Sequence, residues 1–328
     1  MLPGGNRRDF LKILLAGVVP VPGSAFPGMR VSTAFAAARH GQARAAAAAA
    51  KSALAAVRLS DSVIQITGAG GNVVAVTGPD GVVLINAGTT DRSTELLKFV
   101  GDQTGGKPVQ AVFNTDWHPQ HTGANDPLGK SGTPIVAHEN TKQYLANDLY
   151  VDWQNRTYKA LARHALPSKT FYTSGAMTVG RERLAYAHLG QAHTDGDIYV
   201  YLPESNVLVV GDLLATGSYP IADYTTGGWL GGLATATKTL IDLANADTRV
   251  IASDGPALTR ADLQAQFDML TAMRERFVKM MKQGMGAEDM LAAAITKDFD
   301  GKWGSPELFV STAYRGLWLH VRELGGIV

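Results

Sequence analysis

The sequence contains no cysteine. This absence excludes disulfide bonds, thiolate metal ligands and a cysteine nucleophile. Any metal ion would have to be bound by imidazole, carboxylate or amide groups. The 328 residues are 45% hydrophobic, which is enough to bury one large domain and an accessory segment.

The chain also lacks an excess of either charge. Its 30 basic residues nearly match its 29 acidic residues, and the formal net charge is +1. Such a balance creates no field that would attract nucleic acid or an anionic membrane surface. We therefore expect a small-molecule substrate and no nucleic-acid partner.

The N-terminus has no long apolar run. The stretch from Ile13 to Val21 is far shorter than the roughly 20 residues of a membrane-spanning helix, so we expect no stable membrane anchor. It lies between Arg7-Arg8-Asp9-Phe10-Leu11-Lys12 and the small-residue pattern Ala34-Phe35-Ala36. This order resembles a twin-arginine signal peptide over residues 1–36. The resemblance predicts a periplasmic protein that is exported folded, with its metal already bound.

Short β-branched runs separated by glycines begin at Val57. Before them, residues 37–56 are alanine-rich, which predicts a linker or a loosely attached helix. Between residues 57 and 258 the runs predict strands, with a helix over 93–104, in a mixed sheet covered by helices. The predicted strands lie near 63–66, 71–76, 81–86, 109–113, 134–137, 184–186, 198–202 and 207–210.

The C-terminal part, residues 259–328, changes to a helical period. Leu263, Phe267 and Leu270 begin a stripe at spacings of three and four that continues to Met280. Further helices are predicted near 287–295 and 307–324. These helices are candidates for packing over the active site or for a homodimer interface.

Three segments carry side chains that can bind a metal. Asn114-Thr115-Asp116-Trp117-His118-Pro119-Gln120-His121-Thr122-Gly123 follows a predicted strand directly, as Gly211-Asp212 does. The third, Gln191-Ala192-His193-Thr194-Asp195-Gly196-Asp197, lies between two strands. Loops at strand ends are where enzymes built on sheets place their chemistry, so the three segments could meet at one sheet edge.

In this order, the three motifs resemble those of the metallo-β-lactamase superfamily, over roughly Val57 to Pro256. The resemblance implies an α/β fold, an αββα four-layer sandwich, followed here by a C-terminal helical segment. Members bind one or two metal ions, usually zinc, which polarise the scissile group and supply hydroxide. Carried over by position, the resemblance implies metal ligands at Asp116, His118, His121, His193, Asp212 and Asp254, with Asp212 and Gln120 at the catalytic centre.

The chain departs from the family pattern at several of these positions. Asp116 and Asp254 stand where the family has histidine, and Gln120 stands where the family has aspartate. Asn86 replaces the aspartate with which the family's corresponding strand ends. Carboxylates still bind zinc, and added oxygen ligands favour manganese or iron. The amide of Gln120 binds metals weakly and cannot act as a base. We therefore expect one tightly bound ion, and a second that is weaker or absent.

Other polar residues near the motifs receive structural interpretations. Asp195 and Asp197 are expected to hold the His193 loop by hydrogen bonds. We interpret four further histidines as hydrogen-bonded structural groups: His138, His164, His188 and His320.

The segment from Tyr219 to Leu233 is rich in glycine, which disfavours a strand or helix interior. We interpret it as a mobile flap in which Tyr219 and Trp229 contact the substrate. The alternative is a packed surface loop whose Trp229 fills a gap in the core.

The residues and the resemblance together predict a metal-dependent hydrolase acting on a lactam, a lactone or another ester-like bond. Two alternatives remain open. One is a non-catalytic relative whose metal site has decayed, and the other is an iron-dependent redox enzyme. Metal content, oxygen consumption and hydrolysis would separate the three.

Overall fold

The computed structural model describes residues 52–320. The predicted signal peptide, most of the alanine-rich segment and residues 321–328 lie outside this range. Within it, no helix combines the length and apolarity needed to cross a membrane.

Two β-sheets form the centre of the molecule, and the larger has seven strands in the order β1-β2-β3-β4-β5-β6-β9. Strands β1 to β4 run antiparallel, whereas β4, β5, β6 and β9 are parallel. The seven strands are β1 (Ala55–Arg58), β2 (Val63–Thr67), β3 (Val73–Thr77), β4 (Val82–Ile85), β5 (Val109–Phe113), β6 (Ile135–His138) and β9 (Lys169–Phe171).

The second sheet has five strands in the order β10-β11-β12-β13-β14. Its first four strands are antiparallel, and β13 and β14 are parallel. The strands are β10 (Ser174–Val179), β11 (Glu182–His188), β12 (Ile198–Leu202), β13 (Val207–Gly211) and β14 (Arg249–Ala252), and a separate hairpin pairs β7 (Leu149–Val151) with β8 (Arg156–Tyr158).

Helices cover the outer face of each sheet. In the N-terminal half, one long helix and three short ones accompany the larger sheet, while the longest helix of the described part, 22 residues, lies in the C-terminal half. The helices are α1 (Ser93–Thr104), α2 (Pro119–Thr122), α3 (Asn125–Lys130), α4 (Glu139–Leu145), α5 (Leu230–Leu243), α6 (Arg260–Met281), α7 (Ala287–Ala292), α8 (Asp300–Trp303) and α9 (Glu307–Leu319).

Three apolar cores define the layers. All four residues of β4 are buried, since Val83 and Ile85 face the second sheet and Val82 and Leu84 face the helix side. A sheet strand buried on both faces reads as a continuous apolar run, as this one does. The opposite face of the second sheet packs against α5, α6 and α9. The layers therefore follow the order helix, sheet, sheet, helix, which confirms the predicted αββα sandwich with added C-terminal helices.

Most of the predicted elements are present, and α1 has the predicted bounds. The end of the alanine-rich segment differs from the prediction, because Ala55 and Ala56 begin an edge strand, Ala55–Arg58, that pairs with β2. Alanine has the highest intrinsic helix propensity, but propensity is a weak preference that pairing with the edge of β2 overrides.

The glycine-rich segment also differs from its interpretation as a flap. Leu230–Leu243 is helix α5, and Gly231 and Gly232 lie in its first turn. A Cβ on Gly232 would lie 1.5 Å from the carbonyl oxygen of Gln191. These glycines allow the helix to approach the loop that carries His193, and they are not a sign of mobility.

Candidate metal centre

The carboxyl ends of neighbouring parallel strands bring the motif loops together. β4 and β5 end at Ile85 and Phe113, and β13 and β14 end at Gly211 and Ala252. The residues that follow these ends therefore meet at one edge of the two sheets, where sheet enzymes commonly bind ligands. Asp116 and Asp212 both lie there.

Four side chains converge in this region. One ligand atom from each of Asp116, His118, His193 and Asp212 lies within 4.8 Å of the others. Three of the side chains are buried and Asp212 is partly exposed. Two imidazoles and two carboxylates on one point form a donor set suited to a divalent cation.

The distances between the donor atoms fit a shared ion. His118 Nδ1 lies 3.3 Å from His193 Nε2 and 3.1 Å from Asp116 Oδ1. Asp212 Oδ2 lies 3.5 Å from His193 Nε2 and 3.9 Å from His118 Nδ1. Ligands about 2.1 Å from one tetrahedral ion would be separated by about 3.4 Å. The arrangement therefore fits one metal ion without large side-chain movements.

Hydrogen bonds fix the loop that carries Asp116. The side-chain oxygen of Asn86 accepts from both the amide and the hydroxyl of Thr115, at 3.0 Å each. Asn86 adopts a positive φ of 66°, which asparagine tolerates better than most residues. The asparagine that replaces the family's aspartate therefore orders this loop, and it is not among the four clustered ligands.

His121 faces Asp116 rather than the shared point. Its Nδ1 lies 2.9 Å from Asp116 Oδ2 and 3.2 Å from the Thr115 hydroxyl, and the ring is fully buried. Burial disfavours the imidazolium, but the charges of Asp116 and Asp212 together outweigh burial and raise the pKa of His121. His121 is not in the four-residue cluster, so its ligation remains a prediction.

Gln120 and Asp254 lie on the Asp212 side of the centre. The Gln120 amide donates to Asp212 Oδ2 at 2.9 Å. Burial and the charge of Asp212 raise the pKa of Asp254, whose backbone carbonyl accepts from the Thr216 hydroxyl. Asp254 is also outside the cluster, and its ligation stays a prediction.

The His193 loop is held from two sides. His193 Nδ1 donates to the carbonyl of Ile221 at 2.7 Å, which leaves Nε2 directed at the cluster. Asp197 accepts from the amide and hydroxyl of Thr194, at 2.8 and 2.7 Å, as expected for a residue that holds this loop. Such contacts orient a metal-binding imidazole.

The electrostatics of the centre favour a cation. Burial disfavours the imidazolium of His193. The charges of Asp212, Asp197 and Asp116 outweigh the effect of burial and raise the pKa of His193 to about 9. Burial disfavours the Asp116 carboxylate, but His121 and His118 hold its pKa well below the usual range. The protein thus stabilises positive charge here, which a metal ion can supply.

Tyr219 and Trp229 lie in the C-terminal core. The Tyr219 hydroxyl donates to the Thr296 carbonyl and to Asp300, and the residue is 3% exposed. Trp229 stacks on His320 with ring centroids 4.5 Å apart. This burial agrees with the alternative of a packed segment. It does not support a role for these two rings in contacting the substrate.

The sequence motifs did not predict two groups that lie next to the cluster. Asp223 is fully buried near His118, and the Ile221 carbonyl orients His193. The Asp223-Tyr224-Thr225-Thr226-Gly227 turn carried a local signal, because aspartate caps turns of this kind and here accepts from the Thr225 amide. A backbone carbonyl such as that of Ile221 leaves no signal in a sequence.

Comparisons with known proteins identify the family to which this fold belongs. The model of the metallo-beta-lactamase superfamily matches residues 66–256, more than half of the chain. A solved metallo-beta-lactamase from Pontibacter korlensis is 23% identical, with a TM-score of 0.55, and the match covers 67% of this chain and 99% of that one. The DIM-1 metallo-beta-lactamase is 16% identical, with a TM-score of 0.53, over 67% of this chain and 98% of that one. The chain belongs to the metallo-beta-lactamase superfamily.

Proposed function

We propose that the protein is a metal-dependent hydrolase that binds one divalent ion tightly and cleaves an ester-like or amide-like bond in a small molecule. The observation that carries the proposal is the convergence of two imidazoles and two carboxylates within 4.8 Å. A bound ion would lower the pKa of a coordinated water and polarise the scissile group.

The side chains of the centre would have different roles in binding the ion. Asp116, His118, His193 and Asp212 would hold the ion, and Ile221 orients His193 through its carbonyl. Gln120 fixes the Asp212 carboxylate by donating a hydrogen bond to it. Its role is to position Asp212, because an amide cannot accept a proton at neutral pH. With Asp212 partly exposed and the other three ligands buried, a substrate would approach from the Asp212 side.

A single tight ion is favoured over two. His121 is engaged with Asp116, and a neutral amide stands at Gln120 beside Asp212. A second ion would therefore lack the carboxylate ligand that the family's aspartate provides at the position of Gln120. Zinc suits the donor set, and its two carboxylates also suit manganese or iron.

The test combines metal analysis with activity. Protein purified without chelators should contain about one divalent ion per chain and hydrolyse members of a panel of lactams, lactones and esters. His118→Ala and His193→Ala should lose both metal and hydrolysis. The matched control His164→Ala removes an exposed histidine that pairs with Asp126 at 2.7 Å, and should leave both unchanged.

Three outcomes would count against the proposal. Protein with no bound metal would favour the non-catalytic relative, and iron with oxygen consumption would favour a redox enzyme. Two equally tight ions in the unaltered protein would contradict the single-ion arrangement.

A further inference from the structure

A depression opens between the end of α3, helix α4 and the chain that leads into β9. Its volume is about 420 Å³, which is within the range of small-molecule sites. None of the four clustered residues of the metal centre lines it. We name this depression the outer pocket, and its lining includes Gly129, Thr133, Lys142, Arg163, Leu166 and Ser168.

Two cationic side chains line the outer pocket. Lys142 lies on α4, and Arg163 begins the single helical turn Arg163–Ala165. Within residues 52–320, neither side chain has a hydrogen-bond or ion-pair partner. The described lining also contains no aspartate or glutamate. The pocket therefore has an uncompensated positive charge, which favours an anionic ligand.

The carboxylate of Asp126, on α3, is engaged with other basic groups. Its Oδ2 accepts from Lys130 Nζ at 2.7 Å, and its Oδ1 lies 2.7 Å from His164 Nε2. Both oxygens are thus occupied. Asp126 leaves the charges of Lys142 and Arg163 without a partner.

Ser168 supplies a neutral donor to the same pocket. Its hydroxyl oxygen accepts from the Ile135 amide at 3.1 Å, which fixes the oxygen and leaves the O–H free to donate. Leu166 and Pro167 add apolar surface to the lining. Two cations and a hydroxyl beside an apolar wall suit an organic anion with a small apolar body.

The wall that carries Arg163 is fixed before any ligand binds. A Cβ on Gly129 would lie 1.8 Å from the His164 carbonyl oxygen, so α3 packs directly against this turn. The Asn125 side-chain amide donates to the Ala165 carbonyl at 3.2 Å, and it also donates to Asn114 at 2.9 Å. The backbone of the turn is thereby held from the interior, which reduces the cost of ordering the site on binding.

We propose that the outer pocket binds a small organic anion, a carboxylate or a phosphate monoester with a short apolar body. Arg163 and Lys142 would bind the anionic oxygens, and the Ser168 hydroxyl would donate a further hydrogen bond. A guanidinium can donate to two oxygens of such a group at once, and the ammonium adds a charge-assisted hydrogen bond. The site is separate from the metal centre and does not depend on the proposed hydrolysis.

The experiment is a calorimetric titration of the full-length protein with benzoate and with phenylphosphonate, which stands in for a phosphate monoester and is not an ester itself. At least one of the two should bind saturably, with one site per chain. Lys142→Gln and Arg163→Gln should each weaken this binding about 10-fold, as expected for the loss of a charge-assisted hydrogen bond. Because neither side chain has a partner in the described structure, both variants should fold as the wild type does.

Lys130→Gln is the matched control. Lys130 is a cation on the neighbouring helix that pairs with Asp126 and is not part of the lining. Its removal should change the affinity less than about twofold. Benzyl alcohol, which has a similar apolar body and no charge, should not bind measurably.

Three results would overturn the proposal. One is the absence of saturable binding by either anion. Another is wild-type affinity in both Lys142→Gln and Arg163→Gln. The third is a loss in Lys130→Gln as large as theirs, since the general charge of this surface would then explain all three.

Binding to a metal ion is tested separately, because carboxylates and phosphonates also bind metals. Wild-type protein that has been treated with a chelator and then dialysed should keep its affinity for the anion. A loss of binding on this treatment would assign the anion to the metal centre and overturn the proposal. If the protein held no metal, the hydrolase proposal would fail, and the outer pocket would still be tested by the same titrations.

Discussion

At the scale of single residues, we expect Gln120 to limit the number of ions that the centre binds. Its neutral amide donates to Asp212 Oδ2, where a carboxylate would add a charged ligand. We expect Gln120→Asp to raise the metal content after dialysis from roughly one ion per chain towards two, because carboxylates bind divalent ions far better than amides do. Elemental analysis of the dialysed proteins measures this.

Gln120→Asn is the matched control for this substitution. It keeps a neutral amide and should leave the content near one ion. An unchanged metal content in Gln120→Asp would show that the geometry, rather than the missing charge, prevents binding of a second ion.

A second prediction at this scale concerns the stacked pair of His138 and His188, whose ring centroids lie 3.7 Å apart. Burial and the neighbouring His188 ring lower the pKa of His138 to about 4. In an unfolded chain histidine has a pKa near 6.5, so the unfolded state binds more protons between about pH 6.5 and 4. The stability that the neutral ring provides is present above pH 6.5 and is lost as the pH falls towards 4.

His138→Asn tests this pH dependence, because asparagine can replace the ring nitrogen that accepts from the Asn140 amide. Urea unfolding at pH 7.5 and pH 5 should show wild type losing about 1 kcal/mol more than the variant, after allowance for solvent screening. Metal-linked changes are common to both proteins and cancel in this difference. Equal losses would show that His138 does not titrate in this way.

At the scale of elements, α5 depends on a close approach to the His193 loop. A Cβ at position 232 would lie 1.5 Å from the Gln191 carbonyl oxygen and 2.7 Å from the Trp229 indole nitrogen. Because a backbone atom cannot yield as a flexible side chain does, we expect Gly232→Ala to cost about 3 kcal/mol of unfolding free energy. Denaturant unfolding measures the loss, and metal affinity should fall with it.

Gly101→Ala provides the matched control on another helix. A Cβ at Gly101 of α1 meets nothing within 4 Å. Alanine has the higher helix propensity, so this variant should gain about 0.5 to 1 kcal/mol. A Gly232→Ala protein as stable as wild type would contradict the packing of α5 against the loop.

At the scale of the whole molecule, the export proposal concerns residues 1–36, which lie outside the described structure. Replacing Arg7 and Arg8 together with lysine should leave the precursor in the cytoplasm, because the twin-arginine pair is the feature that the export machinery recognises. Cell fractionation and immunoblotting would show this. A processed protein that still reached the periplasm would contradict the proposal.

The sequence by itself determined the layers and the loops of this protein. Apolar runs of four to six residues reflect strands that are buried on one or both faces, so β2 to β5 were predictable. The motif order placed Asp116, His118, His193 and Asp212 on loops that follow or join predicted strands. Local patterns carry such information because burial and turn conformation act over a few residues.

Only the tertiary structure decided how the side chains meet. Gln120 and Asp212 are 92 positions apart in the sequence, and their contact depends on the pairing of whole sheets. Whether His121 faces Asp116 or a second ion, and whether Gly232 belongs to a loop or a helix, likewise depends on distant partners. Long-range packing outweighs local propensity at such positions, because a buried charge or a close backbone contact costs more than any local preference.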